Sequence, residues 1–537
     1  MKRAPQADSP AALHVERGAA LLRLGRHEEA IQTLLAALQR DPRCSAAYAQ
    51  MGNAFQILRM PEEACECFRT AQALGRSPVE MTAAILFTSL ESCRWDGLAR
   101  DLSALESHIA AGRGQPAPFF CLNFPWPRRR LLAAAQAQAA ASFRGIAALA
   151  APAPRRPGAR IRVGYVSGDL HEHATARLVA ELFERHDGQR FDVHAYSYGE
   201  DDGSAMRARL RAAFGARFHD VREATPAGLA ARVRADAIDV LIDLKGYTLF
   251  ARNEVFGYRA APIQVNFLGF PGSLGSAHYD YLIGDPVVTP LEHADGYAEC
   301  IAQMPHCYQP NDRRRPLGAP MRREECGLPP AAFVFACFNA CYKITPQVFD
   351  RWCALLRGTP DAVLWLLADN PHARRNLCAE AARRGVDPAR LAWAASVPQE
   401  QHLRRIACAD LFLDTAPVNA HTTASDALWS GLPLVTTLGE TFASRVAASL
   451  VAAAGEPELA ARDLDEYERM ARGLAHDRPR LRALRARLAE ARGSCALFDC
   501  RGYARDFEEL LARMVERLDR GLAPAHLAAR AAQTAHA

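Results

Sequence analysis

Lysine is conspicuously scarce in this chain. Of its 65 basic residues only Lys2, Lys245 and Lys343 are lysines, and all the others are arginines. Arginine therefore supplies positive charge almost everywhere. A lysine that is kept inside such a chain is a candidate for a site that needs a compact ammonium group instead of a planar guanidinium. This argument singles out Lys245 and Lys343.

Other absences exclude several classes of protein. The 15 cysteines contain no Cys-x-x-Cys pair, and none has His or Cys partners at zinc-site spacing, so we expect free, buried thiols. No segment approaches the roughly 20 apolar residues of a membrane span. The N-terminus lacks the apolar core of a signal peptide, which predicts a cytoplasmic protein. A net charge of +5 gives no indication of nucleic-acid binding.

Two common nucleotide-binding motifs are also missing. No Gly-x-Gly-x-x-Gly sequence follows a predicted strand, and no Gly-x-x-x-x-Gly-Lys-Ser/Thr sequence occurs. These absences argue against dinucleotide-dependent oxidoreductases and P-loop enzymes. The acidic clusters at 200–202 and 463–465 do not indicate a metal site, because the first is a glycine-bounded loop and the second resembles a helix start. We therefore expect neither a metal nor another cofactor.

The N-terminal part of the chain contains an internal repeat. Residues 13–43 and 47–77 match each other at a period of 34, with Gly18 corresponding to Gly52 and Glu28-Glu-Ala30 to Glu62-Glu-Ala64. This period is typical of tetratricopeptide helix-turn-helix repeats. A third, degenerate copy is predicted at 79–109. The repeats either bind a partner or substrate, or only stabilise the domain that follows.

Short β-rich runs alternate with helical segments after a Pro/Gly-rich linker at 150–160. The first series of runs begins at 161, 191, 240, 263 and 281, and the second begins at 333, 363, 391, 411 and 434. This alternation predicts an α/β fold with a doubly wound parallel sheet, and its restart after Gly327-Leu-Pro329 predicts two such lobes facing across a cleft. Amphipathic helices follow from Asp463, and the tail after Ala523 is predicted to be frayed.

The predicted organisation has five parts. They are helical repeats at 11–110, a helical joint and linker at 111–159, an N-terminal lobe at 160–326, a C-terminal lobe at 327–495, and C-terminal helices with a tail at 496–537. A chain of 537 residues is too long for one hydrophobic core, so a division into several domains is expected.

Polar residues are concentrated where the predicted strands end. Ligands of open α/β sheets bind outside the carboxyl ends of the strands, so these positions are the candidate site. In the first lobe they include 167–173, 245–248 and 269–272, and in the second they include Asn339, 342–343, 402–405 and 421–423.

One stretch, residues 414–436, combines a strand end, a polar turn and a helix start. Leu411–Leu413 is predicted to be a buried strand, and Thr422 to Trp429 the first turns of a helix. Free N–H groups at a helix start bind anions, and Asp426 lies one turn further on, where it could accept from ribose hydroxyls. Alternatively, Thr422 and Thr423 only cap an ordinary helix.

At these residues the sequence resembles the protein O-GlcNAc transferase family, including its bacterial and SPINDLY-like members. The similar stretches follow the family's order from about Ile161 to Ser449, behind repeats like those of that family. They include Gly164-Tyr-Val-Ser, Asp169-x-x-x-His173, Arg259-x-Ala-Pro-Ile-Gln264, Phe338-Asn-x-x-Tyr-Lys343, His421-Thr-Thr423 and Gly439-Glu-Thr441. Many matches in order are more specific than any single one.

The resemblance implies a GT-B fold, that is, two Rossmann-like lobes. It implies an inverting, metal-independent glycosyltransferase that moves GlcNAc from UDP-GlcNAc to Ser or Thr hydroxyls of proteins. The lobe at 160–326 would face the acceptor, and the lobe at 327–495 would bind the UDP-sugar. The implied partners are the nucleotide-sugar donor and a protein or peptide acceptor that the repeats bind. Neither nucleic acid nor a membrane is among them.

By position, the resemblance implies that His173 and Lys343 are catalytic. His173 would act as a general base or orient the acceptor, and Lys343 would contact the diphosphate and stabilise the leaving UDP. Among the implied donor-binding residues, His402 and Arg405 would contact the uridine and Asp426 the ribose. His421, Thr422 and Thr423 would hold the pyrophosphate and sugar, and Lys343 the diphosphate. Asn339 and Gly269 complete the set. Residues that would border the sugar or acceptor are Lys245, Tyr247, Thr248 and Pro271.

The chain departs from the family pattern on its donor side. Ala340 stands where members often carry Gln, and Gln399 stands where they often carry Lys. Two alternatives keep the fold, namely an O-fucosyltransferase that uses GDP-fucose and a UDP-hexose enzyme that acts on Asn or a glycan. His421 favours the UDP-GlcNAc reading, because the fucosyl branch tends to carry Thr there. A non-catalytic repeat scaffold is disfavoured by the intact set of His173, Lys343 and Asp426.

Overall fold

The computed structural model describes residues 10–152, 155–156, 158–367 and 370–530. Three residues of the predicted linker, Ala153, Pro154 and Pro157, lie outside the described residues. The same holds for the first nine residues, which include Lys2, and for 531–537 of the predicted tail.

The N-terminal helices form three consecutive pairs, as the repeats predict. The pairs are α1 (Pro10–Arg23) with α2 (His27–Arg40), α3 (Ser45–Ile57) with α4 (Pro61–Ala73), and α5 (Pro78–Glu91) with α6 (Leu98–Ala110). The repeated glycine has a packing role. A Cβ on Gly18 would lie 2.8 Å from the Leu34 side chain, and one on Gly52 would lie 2.4 Å from the Phe68 ring. Glycine thus lets the two helices of a pair approach closely.

An aromatic cluster joins the repeats to the C-terminal lobe. It lies where α5 meets the short helix α7 (Pro118–Cys121), which is followed by α8 (Arg128–Ser142). The Phe87 ring stacks on Phe120 at a centroid distance of 4.7 Å and contacts Tyr342 at 5.1 Å. Tyr342 directly precedes Lys343, so the repeats help to position a loop of the candidate site.

The N-terminal lobe is a seven-stranded parallel sheet in the order β3-β2-β1-β4-β5-β6-β7. Its strands are β1 (Ile161–Ser167), β2 (Phe191–Ser197), β3 (Phe218–Asp220), β4 (Val240–Asp243), β5 (Ile263–Asn266), β6 (Tyr281–Gly284) and β7 (Cys300–Gln303). Its helices are α9 (Ala174–Arg185), α10 (Ala205–Phe214), α11 (Pro226–Ala235) and α12 (Glu254–Gly257). Five of these strands are the predicted ones, and the short strands β3 and β7 are additions.

The C-terminal lobe is a six-stranded parallel sheet in the order β10-β9-β8-β11-β12-β13. Its strands are β8 (Phe333–Cys337), β9 (Ala362–Leu367), β10 (Leu391–Ala394), β11 (Leu411–Leu413), β12 (Leu434–Thr437) and β13 (Ala460–Ala461). Every residue of β8 is buried, as expected for a parallel strand that is covered on both faces. The lobe's helices are α13 (Pro346–Gly358), α14 (Pro371–Arg383), α15 (Gln399–Ile406), α16 (Thr422–Trp429) and α17 (Val446–Ala453).

The last helices return the chain to the N-terminal lobe. They are α18 (Leu464–His476), α19 (Arg478–Ala491) and α20 (Cys500–Asp519). Helix α20 packs on α9 and β5, where the rings of Phe507 and Phe267 lie 5.1 Å apart. The buried Glu508 carboxylate accepts a hydrogen bond of 2.8 Å from the Asp187 N–H. No helix among the described residues is long and apolar enough to cross a bilayer.

The prediction of a frayed tail after Ala523 is wrong for residues 526–529. The Leu527 N–H donates to the Ile301 carbonyl and the Gln303 N–H donates to the Leu527 carbonyl, both at 2.8 Å. The His526 Nδ1 accepts from the Ile301 N–H at 2.9 Å. The tail therefore pairs with the open edge of β7, whose backbone groups would otherwise lack partners.

Removing this tail should destabilise the protein. A chain that ends at Leu522 loses the edge pairing and the burial of Leu527, which is 7% exposed. We expect the free energy of unfolding to fall by about 2–3 kcal/mol, measured by denaturant titration followed by circular dichroism. A chain that ends at Arg530 keeps these contacts and should unfold like the full chain. Equal transitions for the two truncated chains would contradict the structural role of the tail.

Candidate active site

The loop after β11 is held by one buried carboxylate, that of Asp414. Its Oδ1 accepts hydrogen bonds of 2.7 Å from the N–H groups of Thr415 and Ala420, and its Oδ2 accepts one of 2.6 Å from the Thr436 hydroxyl. Burial raises the pKa of Asp414 to about 6, although these hydrogen bonds oppose the shift. The carboxylate thus fixes the turn that leads into α16.

Asn339 lies beneath this turn. Its amide donates to Asp414 at 3.1 Å and to the Thr415 hydroxyl at 2.7 Å, and the residue is 2% exposed. The contacts show Asn339 supporting the loop, and its assignment to donor binding stays a prediction.

Lys343 points at the same turn from the loop that follows the neighbouring strand β8. Its ammonium donates to the Asn419 carbonyl at 2.8 Å. Burial lowers the pKa of Lys343 to about 8, and the Asp414 carboxylate opposes this shift. At neutral pH a largely protonated lysine is therefore held in a site where it is poorly solvated. Such a group gains most when an anion binds beside it.

The start of α16 is open to a ligand. His421 occupies the N-cap position, and within the described residues no side-chain hydrogen bond caps the helix, so the alternative in which Thr422 and Thr423 merely cap it is wrong. Both threonines are half-buried in the first turn. The Nε2 atom of His421 is buried and has no hydrogen-bond partner in the described part of the chain. Burial and the nearby Lys343 ammonium lower the pKa of His421 well below its usual range, which places these two side chains together.

His402 and Arg405 form one unit on α15. The Arg405 Nε donates to His402 Nδ1 at 3.1 Å, and its Nη1 donates to the Ala395 carbonyl at 2.6 Å. Burial, helped by Arg405, lowers the pKa of His402 to about 3, so the ring is neutral. Because Nδ1 accepts, the proton of the neutral ring lies on Nε2, where it can be donated to a ligand. The ring also packs on Phe338.

Asp426 has a partner that the sequence did not reveal. Its carboxylate accepts a hydrogen bond of 2.7 Å from Arg315, and both side chains are almost fully buried. The Arg315 guanidinium also lies over the rings of Trp429 and Phe498. Burial raises the pKa of Asp426, and Arg315 opposes the shift. Arg315 lies between the lobes in a segment with no strand or helix pattern, so no sequence signal pointed to it.

His173 and Lys245 meet at Asp169 in the N-terminal lobe. The Lys245 ammonium pairs with Asp169 at 2.7 Å, and the His173 Nδ1 lies 3.6 Å from the other carboxylate oxygen. His173 also accepts a hydrogen bond of 3.2 Å from the Thr175 N–H at the start of α9. Burial lowers the pKa of His173, while Asp169 acts in the opposite direction. The sequence pattern contained Asp169 without indicating its role.

Arg177 pairs with Glu172 at 2.6 Å at the cleft side of the N-terminal lobe. It lies one turn after His173 on α9, and its charge acts on the titration of His402 and Asp426 in the other lobe. The start of α9, which His173 caps, is therefore on the side of the N-terminal lobe that lies towards the residues predicted to bind the nucleoside. Sequence reasoning missed Arg177, because the helical pattern gives no hint of which face looks across the cleft.

The other predicted residues line the loops after β4 and β5. The backbone of Gly269 packs directly against that of Leu244. A Cβ at position 269 would lie 2.2 Å from the Leu244 carbonyl oxygen. The buried Tyr247 donates its hydroxyl to the Leu274 carbonyl at 2.7 Å, and Thr248 donates to the Lys245 carbonyl at 3.1 Å. Pro271 is half-buried. Contacts of these residues with a sugar or acceptor stay predictions.

A cavity of about 450 Å³ adjoins the Lys343 loop. It lies between the repeats and the C-terminal lobe, and its lining includes Gln56, Glu91, Phe338, Ala340, Tyr342 and Asn370. Ala340 is one of the positions where the sequence departs from the family pattern, and its small side chain leaves space next to the loop.

Two facing lobes with parallel sheets, and polar residues gathered at the strand ends between them, define a GT-B transferase architecture. The family description "Glycosyl transferase family 41" matches residues 147–318 and 319–507, and a tetratricopeptide repeat matches 11–44. The chain belongs to glycosyl transferase family 41. The predicted family and fold class are thereby confirmed.

Individual relatives agree with this membership. A probable UDP-N-acetylglucosamine–peptide N-acetylglucosaminyltransferase, SEC, of Arabidopsis thaliana is 36% identical over 375 residues, covering 68% of this chain and 38% of the relative. The UDP-N-acetylglucosamine–peptide N-acetylglucosaminyltransferase of Caenorhabditis elegans is 30% identical over 483 residues, covering 69% and 42%. The chain thus spans less than half the length of these relatives.

A solved structure matches nearly the whole chain. It is a lysine-to-methionine variant of the O-GlcNAc transferase of Thermobaculum terrenum, with 27% sequence identity and a TM-score of 0.80. The match covers 96% of this chain and 99% of the other. The arrangement of repeats and lobes is therefore shared over the full length.

Proposed function

We propose that this protein transfers N-acetylglucosamine from UDP-GlcNAc to Ser or Thr hydroxyls of proteins, with inversion and without a metal ion. The observation that carries the proposal is the meeting of three features at the ends of β8 and β11. They are the Lys343 ammonium, the unpartnered Nε2 of His421 and the uncapped start of α16. The transfer of N-acetylglucosamine to a peptide is supported by the names of two relatives, a UDP-N-acetylglucosamine–peptide N-acetylglucosaminyltransferase and a probable one.

The donor half of the site suits a nucleoside diphosphate. The leaving UDP gains negative charge in the transition state, and a fixed ammonium with helix-start N–H groups stabilises that charge. These groups can supply the positive charge that a divalent cation supplies in other transferases, which supports transfer without a metal. His402 and Arg405 would hold the base, and Asp426 would accept from the ribose.

On the acceptor side, His173 is better placed to position the hydroxyl than to deprotonate it. While Nδ1 accepts from the Thr175 N–H, the neutral ring carries its proton on Nε2 and is a donor there. Acting as a base would require the other tautomer, stabilised by Asp169, but Lys245 already pairs with that carboxylate. We therefore propose that His173 orients the acceptor or the sugar by donating a hydrogen bond from its Nε2.

This assignment predicts different losses in two variants. His173→Gln keeps an N–H donor in the same region and should retain more kcat/KM than His173→Ala. The alanine variant should lose about 100-fold. Steady-state assays with a peptide acceptor measure both. Equal losses would contradict a positioning role, because a base cannot be replaced by an amide.

The pH profile provides a second prediction for His173. The Nδ1 atom of His173 accepts from the Thr175 N–H only while the ring is neutral, so protonation would release the ring from this orientation. Burial lowers the pKa of His173 below the ordinary 6.5. Above that pH the ring stays neutral, so the acid limb of kcat/KM should begin below pH 6.5 and disappear in His173→Gln. An acid limb at higher pH, or one unchanged in the variant, would contradict the assignment.

The direct test of function is product analysis. The full chain is incubated with host proteins and, in separate samples, with UDP-GlcNAc, UDP-glucose or GDP-fucose, each with and without EDTA. We expect a single N-acetylhexosamine on Ser or Thr, located by fragmentation that preserves the glycan, from UDP-GlcNAc only and undiminished by EDTA. Transfer from GDP-fucose alone, or loss with EDTA, would contradict the proposal. The cytoplasmic location and the role of the repeats in acceptor binding remain predictions.

A further inference from the structure

A second cluster of ligand-type side chains lies on the outer strands of the N-terminal lobe, outside the candidate active site. His194 lies in the middle of β2, and His219 lies in the edge strand β3, where it pairs with Tyr196. Asp236 follows the last residue of α11. The three side chains are only 12–18% exposed. Each offers one ligand atom, and these atoms lie within 4.8 Å of one another.

Two of the three separations are close to the edges of a coordination tetrahedron. His194 Nδ1 and His219 Nε2 are 3.2 Å apart, and His219 Nε2 is 3.7 Å from Asp236 Oδ2. Ligands at about 2.0–2.2 Å from a tetrahedral ion lie about 3.3–3.6 Å from each other. Small side-chain rotations would bring all three donor atoms to that spacing.

Without an ion, the proton positions in this cluster follow from its neighbours. Arg232 donates to His219 Nδ1 at 3.1 Å, so the neutral ring carries its proton on Nε2 and donates it to His194 Nδ1. The remaining proton of His194 then lies on Nε2, which is buried and finds no hydrogen-bond partner among the residues that the structure describes. The hydrogen-bond chain therefore ends in an unsatisfied donor, which is unusual for a buried group.

Asp192 lies on the outer side of His194. Its carboxylate is 3.8 Å from His194 Nε2. Histidines that bind a metal through one ring nitrogen commonly direct the other N–H at a carboxylate, which orients the ring. If a metal ion replaced the proton that His219 donates to His194, the Asp192 carboxylate would face the N–H on the other side of the His194 ring and orient that ring.

We infer that His194, His219 and Asp236 form a binding site for a transition-metal ion, with Zn²⁺ as the best chemical fit and water as the fourth ligand. Two imidazoles and a carboxylate are ligands that Zn²⁺ prefers. The ion would join the three-residue edge strand β3 to β2 and to the end of α11. This role is structural and separate from the transfer reaction.

Arg232 would compete with the ion. With the metal on Nε2, the neutral His219 ring must carry its proton on Nδ1, facing the Arg232 N–H that now donates there. Arg232 also donates to Asp236 at 2.7 Å. Its side chain is 49% exposed, so it can turn into solvent when the ion enters.

The inference is tested on the full chain after treatment with a chelator. Zn²⁺ is titrated by calorimetry, and Co²⁺ is followed by visible absorption as a probe of tetrahedral geometry. We expect one ion per chain that also raises Tm, with no thiolate-to-cobalt absorption, because the free cysteines are the main competing ligands. No binding, or a thiolate signature from the bound ion, would overturn the inference.

Three variants make the test specific. His194→Asn with His219→Asn should weaken Zn²⁺ binding at least tenfold, since it removes two of the three ligands. His278→Asn is the matched control, because this half-buried histidine of the same lobe packs on Phe143 instead, and it should bind like the parent. Arg232→Gln should bind Zn²⁺ several-fold more tightly, a gain that misfolding cannot imitate. Parent-like binding by the double variant, or no gain in Arg232→Gln, would overturn the inference.

Discussion

Replacing Lys343 with methionine should nearly abolish transfer and at the same time stabilise the protein. The ammonium is held beside the start of α16, where it would stabilise the leaving diphosphate, and loss of one such fixed charge typically costs about 100- to 1000-fold in kcat. The same ammonium is poorly solvated in the ligand-free protein, as its lowered pKa of about 8 indicates. Methionine fills a similar volume without that cost.

The sign of the stability change follows from the proton balance. In the unfolded chain the lysine pKa is 10.5, and in the folded chain it is about 8. Between these values the unfolded state binds more protons, so this group makes the parent more stable as pH rises from 8 to 10.5. Below pH 8 burial of the charged lysine lowers the free energy of unfolding by up to roughly 3 kcal/mol. Lys343→Met should therefore unfold at a higher temperature than the parent at pH 7, and less so at pH 10.

Lys245→Met is the contrasting control. This lysine is paired with the buried Asp169, so its removal leaves an unpaired carboxylate and should lower Tm. Differential scanning calorimetry of both variants measures the opposite signs. If Lys343→Met were less stable than the parent, or kept parent-like transfer, Lys343 would not be the charge that the site holds for the diphosphate. In the parent, kcat/KM should also fall above about pH 8, where Lys343 loses its proton.

The second large effect concerns the buried pair of Arg315 and Asp426. Arg315→Leu should lower the free energy of unfolding by about 3–5 kcal/mol, because it leaves an uncompensated carboxylate in the interior. The loss should shrink at acid pH. Without Arg315 the raised pKa of Asp426 rises further, and a group with a raised pKa destabilises the fold less as pH falls and it becomes protonated. Chemical denaturation at pH 5 and pH 7.5 measures this difference.

A double variant separates stability from binding at this pair. Arg315→Leu with Asp426→Leu replaces both charges by apolar groups, a change that is often close to neutral for stability. We expect most of the lost stability to return, whereas UDP affinity should stay low because the ribose has lost its acceptor. Recovery of both properties would show that Asp426 only packs the lobe and does not bind the nucleotide.

Features that depend on local pattern were predictable from the sequence. The ten apolar runs form ten strands, and α16 covers Thr422–Trp429 as its sequence predicts. The run of Leu411–Leu413 is a buried strand because its residues are apolar and lie next to equally apolar strands. The edge strands β3, β7 and β13 were missed, whereas the edge strand β10 was predicted from its apolar run. Phe218–Asp220 is only three residues long and is polar at two of them, so it carries no recognisable strand pattern.

Features that depend on long-range contacts were not predictable in this way. The pairing of Arg315 with Asp426 joins residues 111 positions apart, and that of Lys245 with Asp169 joins residues 76 positions apart. The scarcity of lysine correctly marked two unusual environments, but it could not distinguish a buried ion pair from an ammonium held for a ligand. The docking of Leu527 on β7 was missed, because a short alanine-rich tail contains no signal for the edge that it covers.

The central claim is that the loops after β8 and β11 form the binding site of the UDP diphosphate. Calorimetric titration tests this claim most directly. UDP, UDP-GlcNAc and GDP are titrated into the parent and into Lys343→Met at pH 7. The account predicts that both uridine nucleotides bind the parent, that GDP does not, and that the variant binds UDP about 100-fold more weakly. No binding of uridine nucleotides at millimolar concentration, or equal UDP affinity in parent and variant, would contradict it.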